Sequence, residues 1–319
     1  MAMRLLPMLA IGLVLAGSAS AQYPTRTIKI IPHSAAGTGP DILARLLVAK
    51  LSEYVGQPVV VENRPGANGN IAGEYVAKSP ADGYTLLMTS DAQLTINPHV
   101  YSKSNFDWNK DLMPVSSIAS DVHKLVIHPS VPAKTVAEFI AYARSAKLPL
   151  FYGSSGNGSQ GHLTMELLKE RTGMNLSHVP YKGGGAGTTA ALMAGEITCT
   201  IGGSAIDSQV KSGKLRALGI TGSTRSPRYP DLPTIAETVP GFEMATWFAL
   251  FAPAATPAEP VARLRNEVAK ILALPETKAK FNVSGPEPWI TTPEEFAGVI
   301  RRGYEKNGEL VKTLNVKVD

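Results

Sequence analysis

The strongest constraint on this chain is an alternation of strand-like and helix-like segments that runs through two rounds. A turn of small, hydroxylated residues sits at a matching place in each round. In the first, Thr27-Ile-Lys-Ile-Ile31 alternates and then runs apolar, as a strand does. Asp41–Val55 follows as a helix, with Leu43, Leu47, Leu51 and Tyr54 on one stripe. Pro58–Val61 and Gly83–Met88 read as strands on either side of a helix over Asn70–Lys78. The second round begins with a strand at Lys124–His128 and a helix at Thr135–Ser145, where Thr135 and Glu138 have capping-box spacing. Leu150–Tyr152 is a strand, and Gly161–Arg171 is a helix stopped by Gly173. Further strands are expected at Leu176–Val179, Glu196–Ile201 and Leu215–Thr221, with a helix at Gly184–Met193. Arg225–Pro240 is irregular, Trp247–Phe251 is an apolar strand, and long helices over Pro257–Ala273 and Pro293–Thr313 close the chain.

Such alternation predicts an α/β fold of two lobes, each a mostly parallel sheet flanked by helices, with a ligand cleft between them. The expected division places residues 22–122 and 245–319 in lobe 1 and residues 123–244 in lobe 2. Two chain crossings would then form a hinge.

The start of the sequence reads as an address. Arg4 supplies a positive charge, Leu5–Ala16 is apolar, and Ala19-Ser20-Ala21 is a small-x-small cleavage site. Residues 1–21 are therefore expected to be a secretory signal peptide cut after Ala21, which directs the protein to the periplasm. The lone cysteine, Cys199, permits no intramolecular disulfide. The net charge of +5 comes from 31 Lys and Arg against 26 Asp and Glu, thinly spread, so no nucleic-acid partner is expected. An exported location also weakens readings that need ATP or a nicotinamide cofactor.

The two informative turns are His33-Ser-Ala-Ala-Gly-Thr-Gly-Pro-Asp41 and Gly153-Ser-Ser-Gly-Asn-Gly-Ser-Gln-Gly-His162. Each follows an apolar strand and opens a helix, whose first N–H groups lack partners and carry partial positive charge. Neither holds Lys or Arg, which suits a carboxylate better than a triphosphate. A plain tight turn remains the alternative for each. Gly156-Asn-Gly158-Ser-Gln-Gly161 satisfies G-x-G-x-x-G, but Val179-Pro-Tyr-Lys-Gly183 lacks the acid that a dinucleotide site requires. No P-loop follows a glycine run, and Ser155 misses G-x-S-x-G at its final glycine. The histidines at 33, 99, 123, 128, 162 and 178 form no H-E-x-x-H, and with a single cysteine no usual zinc site. No catalytic residue, metal or cofactor is expected. His162 reads as a capping or packing histidine against the rarer role of base.

Several motifs resemble the periplasmic solute receptors of tripartite tricarboxylate transporters, the Bug or TctC type. They are Pro58-Val-Val-Val-Glu-Asn-Arg-Pro-Gly-Ala-Asn-Gly-Asn70, Pro80-Ala-Asp-Gly-Tyr-Thr-Leu87, His178-Val-Pro-Tyr-Lys-Gly183, Gly213-Lys-Leu-Arg-Ala217, Pro230-Asp-Leu-Pro-Thr234 and Trp247-Phe-Ala-Leu-Phe-Ala-Pro253. The resemblance implies a periplasmic-binding-protein fold that closes on a small organic anion and delivers it to membrane permease subunits, without catalysis. It places the carboxylate between two turns, here Ser34, Ala36, Gly37, Thr38, Gly39 and Asp41, and Ser154, Ser155, Asn157, Gly158, Ser159 and His162. It assigns the far end of the ligand to Ser90, Asp91, Gln93, Tyr181, Gly203 and Ser204. Trp247 either closes the cleft or packs in the core, and His33 either borders the carboxylate or packs beneath its loop. The family's aromatic and Pro-Gly-Gly run is replaced here by His33-Ser-Ala-Ala-Gly37, and its Phe-Asp near Ile201-Gly-Gly203 is missing. The lost bulk points to a larger or less polar ligand than a small dicarboxylate, such as an aromatic acid. A monomer is expected. The alternatives are an exported carboxylate-processing enzyme on a similar fold, or a ligand sensor that serves a membrane kinase.

Overall fold

The computed structural model describes residues 23–101, 105–181, 184–314 and 316–317. The expected signal peptide lies outside the described residues. Along the chain, β1 (Ile28–Pro32) feeds α1 (Gly39–Val55), β2 (Val59–Val61), α2 (Asn70–Ala77) and β3 (Thr85–Ser90). Two short helices, α3 (Asp91–Thr95) and α4 (Asn97–Val100), lead to the long β4 (Leu112–Val122). Next come β5 (Lys124–Ile127), α5 (Val136–Ser145), β6 (Phe151–Ser154), α6 (Gln160–Thr172), β7 (Ser177–Pro180) and α7 (Gly184–Met193). This stretch ends with β8 (Cys199–Gly202), α8 (Asp207–Lys211) and β9 (Arg216–Ile220). The chain returns through β10 (Ala245–Pro253), α9 (Ala258–Ala273), α10 (Pro275–Ser284), the two-residue β11 (Glu287–Pro288) and α11 (Pro293–Leu314).

Two sheets result, ordered β11-β4-β10-β3-β1-β2 and β7-β6-β8-β5-β9. Both are mixed, which corrects the expectation of mostly parallel sheets. β2, β1 and β3 run parallel, but β10 returns antiparallel between β3 and β4. In the second sheet β7, β6 and β8 are parallel, while β5 pairs antiparallel with both β8 and β9.

The helices form for reasons visible in their sequences. Leu43, Leu47 and Leu51 on α1 are fully buried against β1, β3 and α9, and truncating any one to Ala would cost about 2–5 kcal/mol. Gly173 closes α6 in the left-handed conformation at φ 68°. Thr135 caps α5 by accepting the Glu138 N–H, but the Glu138 carboxylate takes the Lys134 N–H, so the capping box is only half made. The 11-residue β4 shows no clear strand pattern in the sequence. Pro114 and three serines at 116, 117 and 120 break its apolar pattern, and its ladder with β10 shifts register between Leu250 and Phe251, where Pro114 pairs.

The chain passes between the sheets at His123 and at Met244, and Thr221 stitches the two crossings together. Its hydroxyl accepts the His123 N–H (3.0 Å), its N–H donates to the His123 carbonyl (2.8 Å), and its carbonyl accepts the Met244 N–H (2.9 Å). Beside them Lys124, 1% exposed, places Nζ 2.8 Å from Asp207 and 2.9 Å from the Tyr229 hydroxyl. Burial alone would raise the Asp207 carboxyl, but Lys124, Tyr229 and Arg228 hold it below its usual range.

Further links join the sheets' helices. Leu163 of α6 packs with Ala92, Ile96, Val100 and Val311, so α11 fastens α6 to α3 and α4. Gly285 lies directly on Ser204: at φ +120°, a Cβ there would stand 1.8 Å from the Ser204 Cβ. Gly285→Ala is therefore expected to destabilise the protein by about 1–3 kcal/mol in urea unfolding, through backbone strain and forced separation of these segments. An unchanged midpoint would contradict this close approach.

Candidate functional site

A cavity of about 230 Å³ lies between the two sheets. It opens at the carboxyl ends of β1, β3, β6 and β8, the end at which open α/β sheets characteristically bind ligands. His33 follows β1, Ser90 ends β3, Ser155 follows β6, and Thr200 to Gly203 span the end of β8; all line the cavity. Three helices of useful length begin at its wall: α1 at Pro40, α6 at Ser159, Gln160 and Gly161, and α7 at Gly185. The partly positive N-termini of α6 and α7 converge on one space, whereas α1 presents Pro40, which has no N–H, ahead of the Asp41 carboxylate. Among the described residues, no Lys or Arg lines it. Pro40, Ala92, Ile201, Ala205, Ile206 and Phe248 make its apolar wall.

Of the residues expected at the site, His33, Ser90, Gln93, Ser155, Ser159 and Gly203 are on the cavity wall. The others are off it, for identifiable reasons. The first turn is folded on itself. Ser34 Oγ and Thr38 Oγ1 are 2.5 Å apart, Thr38 donates to the Ala35 carbonyl, and the Gly37 N–H donates to Asp41. Asp41 is further engaged by Arg45 at 3.0 Å. Ala36 is exposed, and Gly39 lies behind Phe248. Only His33 and Pro40 carry this turn to the cavity.

In the second turn Ser154 is buried and Asn157 is exposed, both off the wall. The Gly158 N–H donates inward to His162 Nδ1 (3.0 Å), and His162 stacks on His178 at 4.0 Å. His162 is thus a packing histidine beneath the loop. Tyr181 leans on Gly153 and Gly187, and Ser204 is pinned against Gly285. Trp247 packs edge-on against Phe296 at 5.0 Å and does not reach the cleft. Its neighbours Thr246 and Phe248 do, because adjacent strand residues face opposite sides.

Other liners are residues to which the sequence assigns no part in the site. Asn68 arrives on the Gly66–Asn70 turn, bound to Asn97 at 2.7 Å, while Gln93 Nε2 donates to the Asn68 carbonyl at 3.0 Å. Gln93 Oε1 accepts from Ser90 Oγ and Ser90 N, so this side chain acts as a brace. Thr246 on β10 donates to Gln160 at the start of α6, a hydrogen bond between the two lobes at the cavity floor. His123 Nε2 lies 3.3 Å from the Thr246 hydroxyl.

Burial sets the charge states here. It pushes His33 and His123 down to about 4, so both rings are neutral near pH 7. His33 Nδ1 lies 3.3 Å from the Met88 carbonyl, the geometry of a donating Nδ1–H. Burial likewise pushes the Asp91 carboxyl up to about 7, against the N–H groups of Trp247, Asp91 and Ala92 that favour its ionised form. Asp91 is off the cavity wall and its Oδ1 has no partner.

Residues 43–316 fit the model of the TctC family, the tripartite tricarboxylate transporter family receptor. The chain belongs to that family. It is 33% identical to protein BugT of Bordetella pertussis over 99% of this chain and 98% of the relative. The solved structure of Rpa4515 from R. palustris with adipate superposes with a TM-score of 0.88 at 38% identity, covering 93% of this chain and 99% of that one. MatC from Rhodopseudomonas palustris with bound malate gives 0.82 at 27% identity, covering 91% and 100%. This TctC chain is thus a Bug-type solute receptor with the two-lobed periplasmic-binding-protein fold, and the family is periplasmic. Among the described residues, no helix is long and apolar enough to cross a membrane.

Asp91 yields a prediction with a definite sign. Unfolded, it loses its proton near 3.8; folded, near 7. Between those values the native state binds more protons, so this group's contribution to stability falls as pH rises through the window. Asp91→Asn cannot ionise. Urea unfolding should therefore show the variant gaining on the parent by at least about 1 kcal/mol between about pH 4.5 and about pH 8. A difference independent of pH would contradict an uncharged native Asp91.

Proposed function

We propose that this receptor binds one organic carboxylate between its lobes and hands it to the permease of a tripartite tricarboxylate transporter. In this reading residues 22–122 and 245–319 work as one lobe and 123–244 as the other, in a monomer exported by a signal peptide cut after Ala21. The convergence of the α6 and α7 N-termini on a cavity without Lys or Arg among the described residues carries the proposal. N–H groups at helix starts hold carboxylates by hydrogen bonds and partial charge, with no buried cation to desolvate. Ser155 and Ser159 add hydroxyl donors at the same end.

The apolar wall narrows the ligand class. Ile201, Ile206 and Phe248 favour an acid with an apolar body over one with hydroxyls along its length. Adipate, found in the Rpa4515 structure, fits that description, and so does benzoate as the simplest aromatic acid. No bond-making step is assigned. Ser154 Oγ and His178 Nε2 are 2.6 Å apart, a serine–histidine pair, but both sit beneath the turn and off the cavity wall.

Calorimetric titration with adipate, benzoate and malate tests this reading. Adipate or benzoate should bind at one site per chain, more tightly than malate, and be recovered unaltered. Ser155→Ala should weaken the better ligand by one charged hydrogen bond, about 1.5–3 kcal/mol. Preference for malate, or turnover of any of the three, would contradict the proposal.

A further inference from the structure

Directly beneath the second turn lies a cluster of titratable rings that the carboxylate reading does not use. The His162 and His178 rings stack with centroids 4.0 Å apart and planes 9° apart. Tyr152 lies against His178 at 4.9 Å and is 6.4 Å from His162. Each imidazole is bonded to the turn. His162 Nδ1 accepts the Gly158 N–H at 3.0 Å, and His178 Nε2 is 2.6 Å from Ser154 Oγ. That hydroxyl also accepts the Gly156 N–H at 3.1 Å. Gly156 and Gly158 take φ values of 132° and 70°, which side chains rarely adopt, so the turn's shape depends on these anchors.

An Nδ1 that accepts a hydrogen bond carries no proton. Protonating His162 there would set an N–H against the Gly158 N–H, break the bond and leave a buried donor unpaired. A charge on either ring would also repel a charge on the other across 4.0 Å.

We propose that His162 and His178 are positioning residues that keep the Ser155–Ser159 turn in its ligand-accepting shape only while both rings are neutral, so that acidification loosens the turn and releases the carboxylate. The release rests on the function proposed above; the loosening of the turn does not.

Burial keeps both rings neutral, and the charged groups that face the pair act in opposite directions. On α6, Glu166 is engaged by the Tyr152 hydroxyl at 2.5 Å and by Lys169 at 2.7 Å. Burial first, then His162 and Lys169, push His178 down to about 4 despite Glu166. Burial and Lys169 lower His162 as well, while Glu166 opposes them. Cys199, from β8, is buried and uncharged, its thiol raised by burial. His33 and His123 on the cavity wall titrate in the same region, and a proton on either would attract an anion, the opposite effect. Affinity alone would mix the two signs, so the turn itself must be observed.

Nuclear magnetic resonance of the isotopically labelled protein makes that observation without a ligand. As pH is lowered from about 7 to about 4, the Gly156 and Gly158 amide shifts should move together with the ring ¹⁵N shifts of His162 and His178. In His162→Gln, which accepts but takes no proton, the Gly158 step should vanish while the amides of Leu125 and Ile127 in the core stay unmoved. In His178→Phe, the His162 ring should titrate at higher pH. Rings that protonate without moving the glycine amides, or a Gly158 step that survives in His162→Gln, would overturn the proposal. Adipate titrations supply the second arm, since both proteins see the same ionisation of the probe. The parent should lose at least about tenfold more affinity than His162→Gln over this range, the worth of about one hydrogen bond. Equal losses would refute the release step. Failure of adipate to bind either protein at neutral pH would overturn the function proposed above, and the amide shifts would still decide the turn.

Discussion

Strand β10 is the constraint on which the other parts of this receptor depend. Its nine residues lie antiparallel between β3 and β4, so both edges of the strand are hydrogen-bonded inside the first sheet. It is also the segment by which the chain returns from the second sheet, directly after Met244. Its alternation divides two tasks: Trp247, Ala249 and Phe251 fill one apolar cluster, while Phe248, Leu250 and Ala252 fill another. Thr246 and Phe248 reach the cavity from the same strand. A shift of one residue in its register would put Trp247 in the cleft and a threonine in the core.

Around that strand, among the described residues, no Lys or Arg enters the cavity wall. The paired charges are set back at the lobe junction, where Lys124, Asp207, Arg228 and Tyr229 satisfy one another. The titratable groups nearest the cavity, His33, His123 and Asp91, are held by burial in or towards their neutral forms. What remains in the wall is a field from helix N-termini and short hydroxyl side chains. Such a medium suits the proposed carboxylate, since the described residues at the starts of α6 and α7 include no Asp or Glu to occupy their N–H groups.

Much of this was legible in the sequence. Helices α1 and α6 were readable from their leucine stripe and their left-handed closing glycine, and the two-lobed architecture followed from the repeated alternation. The second turn was readable because only small residues let a backbone fold so tightly between a strand and a helix. β4 was hidden by Pro114 and its serines, α3 and α4 were too short to show a period, and α10 (PETKAKFNVS) has no apolar stripe at helical spacing. The cavity's other liners were illegible for a different reason. Asn68, His123, Gln160 and Thr246 meet only because distant segments pair; the Thr246–Gln160 bond spans 86 residues of chain. Likewise, nothing local distinguished Phe248 from Trp247. The two turns looked alike as sequence, yet the Gly37–Asp41 bond closes the first on itself, whereas the second reaches the cavity through Ser155 and Ser159.

In the proposed complex helix N-termini, rather than cationic side chains, hold the ligand's carboxylate. A crystal structure with whichever acid binds most tightly tests it most directly. The account predicts a carboxylate oxygen accepting hydrogen bonds from N–H or hydroxyl groups at the start of α6, with the apolar body of the acid against Phe248 and Ile206, and no Lys or Arg nitrogen within about 4 Å of that carboxylate. A carboxylate paired with a lysine or arginine, or bound away from the start of α6, would contradict it.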